Sequence, residues 1–312
     1  MKPLKLGIFA SSYIAPVVVV VVEEGIVARG VFGGGYASTR SNVIDYITIA
    51  TTGNATDFGD LTEIRYGVAA CSSTTRGVFG GGNNNSGTNV NVIDYITIDT
   101  LGNATDFGDL TLGRLLAAAC SSTTRGVFGG GGGGYSNVMD YITIATTGNA
   151  TDFGDLTLGR TDLAACSSTT RGVFGGGTIG ADSNVMDYIT IATTGNATDF
   201  GDLTVAGYYL AACSSTTRGV FGGGLRPSTT NVMDYITIAT TGNATDFGDL
   251  TVARYALGAC SSTTRGVFGG GEGSNVIDYI TIATTGNATD FGDLTVARGY
   301  LAGLSNSHGG LG

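Results

Sequence analysis

The sequence predicts an all-β protein, a β-propeller of six four-stranded antiparallel sheets, and three observations lead to this prediction. The 18-residue segment DYITIATTGNATDFGDLT occurs five times unchanged, and a sixth copy differs only at Asp99 and Leu101. The copies start at intervals of 44 to 49 residues, a period typical of paired-helix repeats or propeller blades. Thr, Ile, Val, Tyr and Phe dominate the copies, and 54 of the 312 residues are Gly, which favours strands over helices.

Each repeat divides into four strands separated by turn residues. In residues 209–252 the predicted strands are LAACSS, RGVFGGG, NVMDYITIA and TDFGDL, and the segments STTRG and TTGNA supply turns. The third strand carries apolar residues on both faces, so its sheet must be packed between two neighbours. A closed ring of such sheets, or blades, meets this requirement for every repeat.

The two chain ends compete to complete the ring, because only five first strands contain the sequence ACS. Their cysteines, predicted to be apolar core residues, are Cys71, Cys120, Cys166, Cys213 and Cys260. The C-terminal segment YLAGLSNS aligns with YLAACSST and places Leu304 at the cysteine position. We therefore expect the C-terminal strand to close the ring by completing the blade that begins at Arg29, with the propeller spanning 29–312.

Residues 1–28 are then left outside the ring. The run Val17 to Val22 is strongly strand-prone and would add a strand to any available sheet edge. We expect an N-terminal arm for docking or oligomerisation, in which a structural partner protein or further copies of the chain are the partners. A terminus that frays or packs on its own chain is the open alternative.

The run GVFGGG, followed by Asn-Val, an aromatic residue in strand three, a turn and an aromatic residue in strand four, resembles the kelch repeat. The resemblance covers six units from about Arg29 to the C-terminus, although Phe58 and its equivalents stand where kelch repeats usually carry Trp. The longer wording RGVFGGG…DYITIATTGNATDFGDLT is also similar to repeat proteins of tailed bacteriophages, notably cyanobacterial and marine ones. This similarity implies a structural or appendage role on a virion, an extracellular particle; a secreted or cell-surface kelch-type module that binds a partner or a glycan is the alternative.

Charge and residue usage argue against several function classes. The net charge is −10, and 18 of the 25 acidic residues are the three aspartates that recur in every copy, so a phosphate backbone would be repelled. Lys occurs only at positions 2 and 5, and His308 is the single histidine, so the repeats lack the usual general bases. We expect no nucleic-acid binding, no enzyme activity, no cofactor and no membrane span. The enzymatic alternative, known among kelch-like propellers, would need a metal-ligand cluster or an acid–base pair.

Asp57 and Asp60 of the segment GNATDFGD, with their equivalents, are weak calcium candidates. Carboxylates near a turn are ligands that calcium accepts, but Asn and Asp are also favoured in turns for their own backbone hydrogen bonds. We interpret them as turn residues and expect no metal site.

Differences between the copies fall in two stretches of each repeat, the loop between strands two and three and the junction from strand four to the next strand one. Both connections lie at the same end of an antiparallel meander, so one face of the disc is individualised and the other uniform. Loops displayed on a rigid scaffold are common recognition sites, and Arg and Tyr are favoured interface residues. The candidates for binding a host-surface glycan, a surface protein or a neighbouring subunit are Arg65, Tyr66, Arg114, Arg160, Tyr208, Tyr209, Arg226, Arg254, Tyr255, Arg298 and Tyr300. Neutral drift in exposed loops is the alternative.

Overall fold

A computed structural model of the protein describes residues 27–311. These residues form six antiparallel sheets of four strands each, blades I to VI, around a central channel, and the described part of the chain contains no helix. It therefore has no helix long and apolar enough to cross a membrane. The all-β, six-bladed propeller predicted from the repeats is confirmed.

The strands of each blade follow one another from the channel outwards. Blade I consists of β26 (Ala302–Ser305), β1 (Arg29–Gly33), β2 (Val43–Thr48) and β3 (Thr56–Asp60). Blade II consists of β5 (Ala69–Ser72), β6 (Arg76–Gly80), β8 (Val92–Thr97) and β9 (Thr105–Asp109). Blade III consists of β10 (Ala118–Ser121), β11 (Arg125–Gly129), β12 (Val138–Thr143) and β13 (Thr151–Asp155). Blade IV consists of β14 (Ala164–Ser167), β15 (Arg171–Gly175), β16 (Val185–Thr190) and β17 (Thr198–Asp202).

Blade V consists of β18 (Ala211–Ser214), β19 (Arg218–Gly222), β20 (Val232–Thr237) and β21 (Thr245–Asp249). Blade VI consists of β22 (Gly258–Ser261), β23 (Arg265–Gly269), β24 (Val276–Thr281) and β25 (Thr289–Asp293). Two short strands, β4 (Arg65–Tyr66) and β7 (Asn83–Asn84), pair outside the blades.

The C-terminal strand closes the ring. Strand β26 pairs antiparallel with β1, and Leu304 lies opposite Val31. Blade I is thus assembled from both ends of the described chain, as predicted, and its inner edge is covered. The arm predicted for residues 1–28 lies almost entirely outside the described residues.

Close packing between blades accounts for the repeated glycines of RGVFG. A Cβ atom on Gly33 of blade I would lie 2.6 Å from the Phe79 ring of blade II. A Cβ atom on Gly126 of blade III would lie 2.5 Å from Cys71 Sγ of blade II. All five cysteines are buried and free, which confirms the core role predicted for them, and burial raises the pKa of the Cys120 thiol to about 12.

The turn TTGNA, which reads TLGNA in blade II, joins each blade to the preceding one. Asn103 Oδ1 accepts a hydrogen bond from the Asp60 N–H at 3.1 Å, and the Gly102 N–H donates to the Phe58 carbonyl at 2.9 Å. The same two bonds recur at all six blade interfaces. The segment is therefore repeated because each copy forms half of two identical interfaces.

The arginine that begins strand two forms a second repeated contact. The Arg76 guanidinium carbon lies 4.3 Å from the ring centroid of Tyr95 in its own blade, and Nη1 donates to the Ile144 carbonyl of the next blade at 2.9 Å. Equivalent contacts occur in every blade, formed by Arg29, Arg76, Arg125, Arg171, Arg218 and Arg265. Six of the thirteen arginines thus hold neighbouring blades together.

A ring of serines surrounds the channel at the end formed by the invariant turns, here called the uniform face. Each serine hydroxyl donates to the serine carbonyl of the preceding blade at 2.6–2.9 Å. The C-terminal tail, residues 306–311, packs over this ring, where the Gly309 N–H donates to the Ser214 carbonyl and His308 Nε2 lies 3.3 Å from Ser121 Oγ. The tail covers the uniform end of the channel.

Candidate functional site

The two variable stretches of each repeat meet at the opposite end of the channel, the variable face. The Gly35 N–H at the start of a loop donates to the Arg65 carbonyl of a junction at 3.1 Å, and Tyr208 of another junction pairs with Leu225 of a loop. The predicted division into one individualised face and one uniform face is correct.

The six candidate arginines of this face are not available to a ligand. Arg65, Arg114, Arg160 and Arg298 are fully buried, and Arg226 and Arg254 are 6% and 3% exposed. Each forms an ion pair with the buried aspartate of a third strand. The expectation that these arginines present their side chains for recognition is wrong, because the buried aspartates need them as partners.

The Asp94 site shows how these ion pairs are built. Arg65 Nη2 donates to Asp94 Oδ2 at 2.6 Å and Nη1 donates to the Val92 carbonyl at 2.7 Å. Thr62 Oγ1 of the same junction donates to Asp94 Oδ1 at 2.6 Å. Burial lowers the pKa of the Arg65 guanidinium, while Asp94 beside it raises that pKa. A junction thus attaches its own blade to the next one through a single carboxylate.

Blade V reaches the same ion pair by another route. The junction that leads from blade IV into blade V has Gly207 where five others have arginine, and Arg226 from the loop between β19 and β20 pairs with Asp234 instead. A Cβ atom on Gly207 would lie 2.3 Å from Arg226 Cγ, so the loop arginine occupies the space of the missing side chain. The one repeat whose junction lacks the arginine has Arg226 in its loop. This exchange is the sequence signal that could have identified all six arginines as structural.

Six junction residues surround the open mouth of the channel and are called the mouth residues. Their backbone N–H groups each donate to the carbonyl of the preceding one, which closes a ring of six hydrogen bonds. All six have left-handed backbone angles, with φ between 57° and 67°. They are Gly67, Leu116, Asp162, Tyr209, Ala256 and Tyr300. Five are not glycine, and strained backbone of this kind is concentrated at functional sites.

Six of the tyrosines that lie outside the repeated segments collect at this mouth. The ring centroid of Tyr66 lies 5.8 Å from that of Tyr36 and 5.7 Å from that of Tyr300, and the centroids of Tyr300 and Tyr209 are 5.2 Å apart. Tyr208 and Tyr255 extend the cluster, with centroids 4.8 Å and 5.8 Å from Tyr209. All six rings are half-buried, so each packs on a neighbour and keeps part of its surface accessible.

Tyr36, Tyr66, Tyr209 and Tyr300 line a cavity of about 390 Å³, the tyrosine cavity, together with Arg40, Glu272 and Leu116. Arg40 is the one arginine that belongs to neither repeated set. Its guanidinium carbon lies 5.3 Å from the Tyr66 ring centroid, Nη2 donates to Asn83 Oδ1 at 2.8 Å, and the buried Nε has no hydrogen-bond partner. The cavity therefore combines aromatic surface with one cationic and one anionic side chain.

Comparison of the chain with models of known protein families and with curated proteins finds no match. The fold and the geometry of the variable face are thus the observations from which a function is inferred.

Beneath the tyrosine cavity lies a smaller one of about 80 Å³, the aspartate pocket, lined by the mouth residues and by the residue that follows each of them. Asp162 is 7% exposed there, and its Oδ1 has no hydrogen-bond partner. Burial raises the pKa of Asp162 to about 7, because the charged form loses its hydration, and the Thr161 side chain partly offsets this by lowering that pKa. Burial and the nearby Asp162 carboxylate raise the pKa of the Tyr209 phenol to about 12.

The structure therefore separates the predicted site residues into tyrosines at the tyrosine cavity and arginines below the surface. Of the candidate residues, Tyr66, Tyr209 and Tyr300 line the tyrosine cavity, Tyr208 and Tyr255 flank it, and the arginines lie below the surface. Sequence reasoning missed Tyr36, Arg40, Asp162 and Glu272 as site residues. Tyr36 and Arg40 could have been identified by setting aside the arginines and tyrosines that recur in the repeats. The carboxylates carry no such signal, because acidic residues are common in exposed loops.

The calcium candidates lie on the outer strand of each blade. Asp57 is exposed and Asp60 is partly buried, and the Asp60 N–H is bound by the Asn103 side chain of the next blade. Between residues 27 and 311 no group of three His, Cys, Asp or Glu side chains is arranged to hold a metal ion.

Proposed function

We propose that this protein is a non-enzymatic recognition protein that binds a sugar unit of a host-surface glycan in the tyrosine cavity of its variable face. One observation carries the proposal: four of the tyrosines and the one arginine that the repeated architecture does not use line one cavity at the open end of the channel. The strained mouth residues support it, since five non-glycine residues hold a conformation that costs about 1 kcal/mol or more each.

The chemistry of the cavity favours binding over catalysis. Burial raises the pKa of the Tyr209 phenol to about 12 and moves the pKa of the Tyr300 phenol in the same direction, so both stay protonated at neutral pH. They offer aromatic faces and hydroxyl donors and do not serve as bases. Arg40 and Glu272 add one donor group and one acceptor group for ring hydroxyls.

The size of the cavity matches a small polar ligand. Ligand pockets are typically clefts of roughly 300–1,000 Å³ lined by aromatic surface with a few placed polar groups. The tyrosine cavity, at about 390 Å³, lies in this range. A sugar ring has an apolar face for a tyrosine and hydroxyls at its edge, so it suits this lining.

The binding test uses purified full-length protein on arrays of bacterial surface glycans and on whole bacteria. We expect Tyr36→Ala and Tyr66→Ala to weaken binding at least about tenfold, because each removes a wall of the cavity. Tyr135→Ala is the matched control, since Tyr135 is an unrepeated tyrosine of the same face, 44% exposed and outside the cavity. Equal loss in all three variants, or no loss in the first two, would contradict the proposal.

The place of action in this proposal is the particle of a tailed bacteriophage. The resemblance of the repeated wording to phage repeat proteins supports it, as does the division of the disc into a uniform face and a variable face. In this proposal the N-terminal arm or the uniform face docks on other virion proteins while the variable face points outwards.

Peptide mass spectrometry on gradient-purified particles tests this location. We expect a stoichiometric signal relative to the major capsid protein. Absence from intact particles would contradict the virion assignment and favour a secreted or cell-surface binding module of the kelch type.

A further inference from the structure

Asp162 introduces a buried carboxylate at the base of the proposed ligand site. It is 7% exposed, its Oδ1 lacks a hydrogen-bond partner, and none of the six ion pairs among the described residues includes it. A buried polar oxygen without a partner is costly and calls for an explanation.

The backbone does not provide that explanation. Asp is better tolerated than most residues in the left-handed conformation, and Asp162 has a φ of 62°. However, Leu116 and Ala256 adopt the same conformation at equivalent positions, with φ of 57° and 58°. The conformation of the mouth therefore does not require a carboxylate in blade IV.

The surroundings of Asp162 lack a cation. The mouth residues on the neighbouring blades are Leu116 and Tyr209, and Tyr300, Ala256 and Gly67 complete the ring. The nearest junction arginine, Arg160, is committed to Asp187 at 2.7 Å. A ligand that supplies a positive charge would satisfy the carboxylate.

We propose that the aspartate pocket binds the protonated amine of an amino sugar, with Asp162 as the anionic partner and the sugar ring above it in the tyrosine cavity. This inference rests on the proposed function and names its ligand class. Tyr209 and Tyr300 line both cavities, so the two cavities adjoin each other. The aspartate pocket, at about 80 Å³, has room for an ammonium group and the carbon that carries it.

The charge balance of the site supports an amine over a neutral hydroxyl. Arg40 and Glu272 offset each other in the tyrosine cavity, which leaves Asp162 as the unbalanced charge. A hydrogen bond between charged partners is stronger than one between neutral partners, so the carboxylate favours an ammonium group over a hydroxyl.

Calorimetric titration of the full-length protein at pH 7 with D-glucosamine, D-glucose and N-acetyl-D-glucosamine tests the inference. We expect D-glucosamine to bind at least about tenfold more tightly than D-glucose. N-acetylglucosamine, whose amine is capped and neutral, should bind no more tightly than D-glucose. Equal affinity for all three sugars, or a preference for the acetylated sugar, would overturn the inference without any variant.

Two matched variants assign the preference to a residue. Asp162→Asn keeps the shape and tolerates the left-handed backbone, and it should reduce the D-glucosamine affinity to that of D-glucose. Asp182→Asn removes the same charge from an exposed loop position of the same face and should leave the preference intact. Retention of the preference in Asp162→Asn would overturn the assignment.

The outcome separates this inference from the proposed function. If Tyr66→Ala abolishes glycan binding while Asp162→Asn has no effect on sugar preference, the glycan site stands and the amine site is wrong. If Tyr66→Ala also has no effect, both proposals are wrong.

Discussion

At the scale of single residues, the variable face contains groups that weaken the fold. Asp162 is buried without a cation, and Arg40 keeps a buried Nε without a hydrogen-bond partner. Elsewhere in the described chain, buried aspartates such as Asp94 and Asp140 have both an arginine and a threonine as partners. The contrast between the paired aspartates of the repeats and the unpaired Asp162 of the mouth is the residue-level argument for a binding site.

The raised pKa of Asp162 gives a stability prediction with a definite sign. The carboxyl has a pKa of about 7 in the folded chain, against an ordinary value of 3.8, so the folded state binds its proton more tightly. Its destabilising effect is absent below pH 4 and develops fully as the pH rises through 7. We expect Asp162→Asn to stabilise the protein by up to about 4 kcal/mol at pH 8 and to have little effect at pH 4.

Urea unfolding of the wild type and of Asp162→Asn at the two pH values measures this difference, and Asp182→Asn is the control for loss of a surface charge. A variant that is less stable than the wild type at pH 8 would show that the carboxylate has an unrecognised structural partner.

The exchange between Gly207 and Arg226 predicts a compensating pair. Arg226→Ala leaves Asp234 buried with Thr204 Oγ1 as its remaining side-chain partner, which should cost about 3–5 kcal/mol. Stability should return when Gly207→Arg is combined with replacement of loop 225–230 by the blade I loop 36–41, which has the same length and accompanies a junction arginine. Urea midpoints of the three proteins decide: a chimera as unstable as Arg226→Ala would contradict the compensation.

At the scale of elements, the tail after β26 shows how the uniform end of the channel is covered. His308 Nδ1 accepts a hydrogen bond from the Gly310 N–H at 3.0 Å, so this nitrogen must be unprotonated. Burial lowers the pKa of His308 to about 4 from an ordinary value of 6.5. The unfolded chain therefore takes up a proton between pH 6.5 and pH 4 that the folded chain excludes.

It follows that the contribution of His308 to stability is complete above pH 6.5 and is lost as the pH falls towards 4. We expect the wild type to lose up to about 3 kcal/mol relative to His308→Asn over this interval. Asn keeps an acceptor for the Gly310 N–H and does not titrate. Thermal unfolding of both proteins at half-unit pH steps gives the difference; parallel curves would contradict the assignment.

Most of the element-level architecture follows from the sequence. The segments LAACSS, RGVFGGG, NVMDYITIA and TDFGDL all contain the strands predicted for them, and the alignment of Leu304 with the cysteines gives the ring closure. The one-residue bulge on strand four, where Asp57 and Gly59 pair but Phe58 does not, follows from no pattern in the sequence. It turns Phe58 edge-on to Tyr46, with ring centroids 6.1 Å apart.

The candidate site was predictable in part. Its face and three of its tyrosines follow from the variation between copies. The direction of the arginine side chains does not follow from the sequence, because a junction arginine can point to solvent or under the next blade. The burial of Asp94 and its equivalents determines which of the two occurs. The same holds for Asp162, since its burial depends on five other blades that converge at the channel.

At the scale of the whole molecule, the nearly identical parts and the variable parts of the repeats lie at opposite ends of the channel. The uniform face repeats its turn, serine and arginine contacts six times, so every blade interface is built in the same way. At the mouth, this frame carries six junction residues of five residue types, from Gly67 to Tyr300. Each of blades II to VI makes the same backbone hydrogen bonds with both of its neighbours. A change of side chain at one mouth position therefore alters the site without altering the ring.

The separation of the two faces predicts that docking and ligand binding are independent. The ring closes through β26 and β1, and both strands lie within residues 27–311. A variant that lacks residues 1–26 should therefore keep its thermal unfolding midpoint within a few degrees and keep its affinity for the glycan. It should fail to enter phage particles if the arm docks the protein.

Complementation of a phage that lacks the gene, followed by peptide mass spectrometry of purified particles, measures incorporation, and calorimetry on the same variant measures binding. Tyr66→Ala is the reciprocal control, because it should enter particles normally and lose adsorption. Loss of glycan binding on removal of residues 1–26 would show that the arm contributes to the site, while normal incorporation of that variant would assign docking to the uniform face.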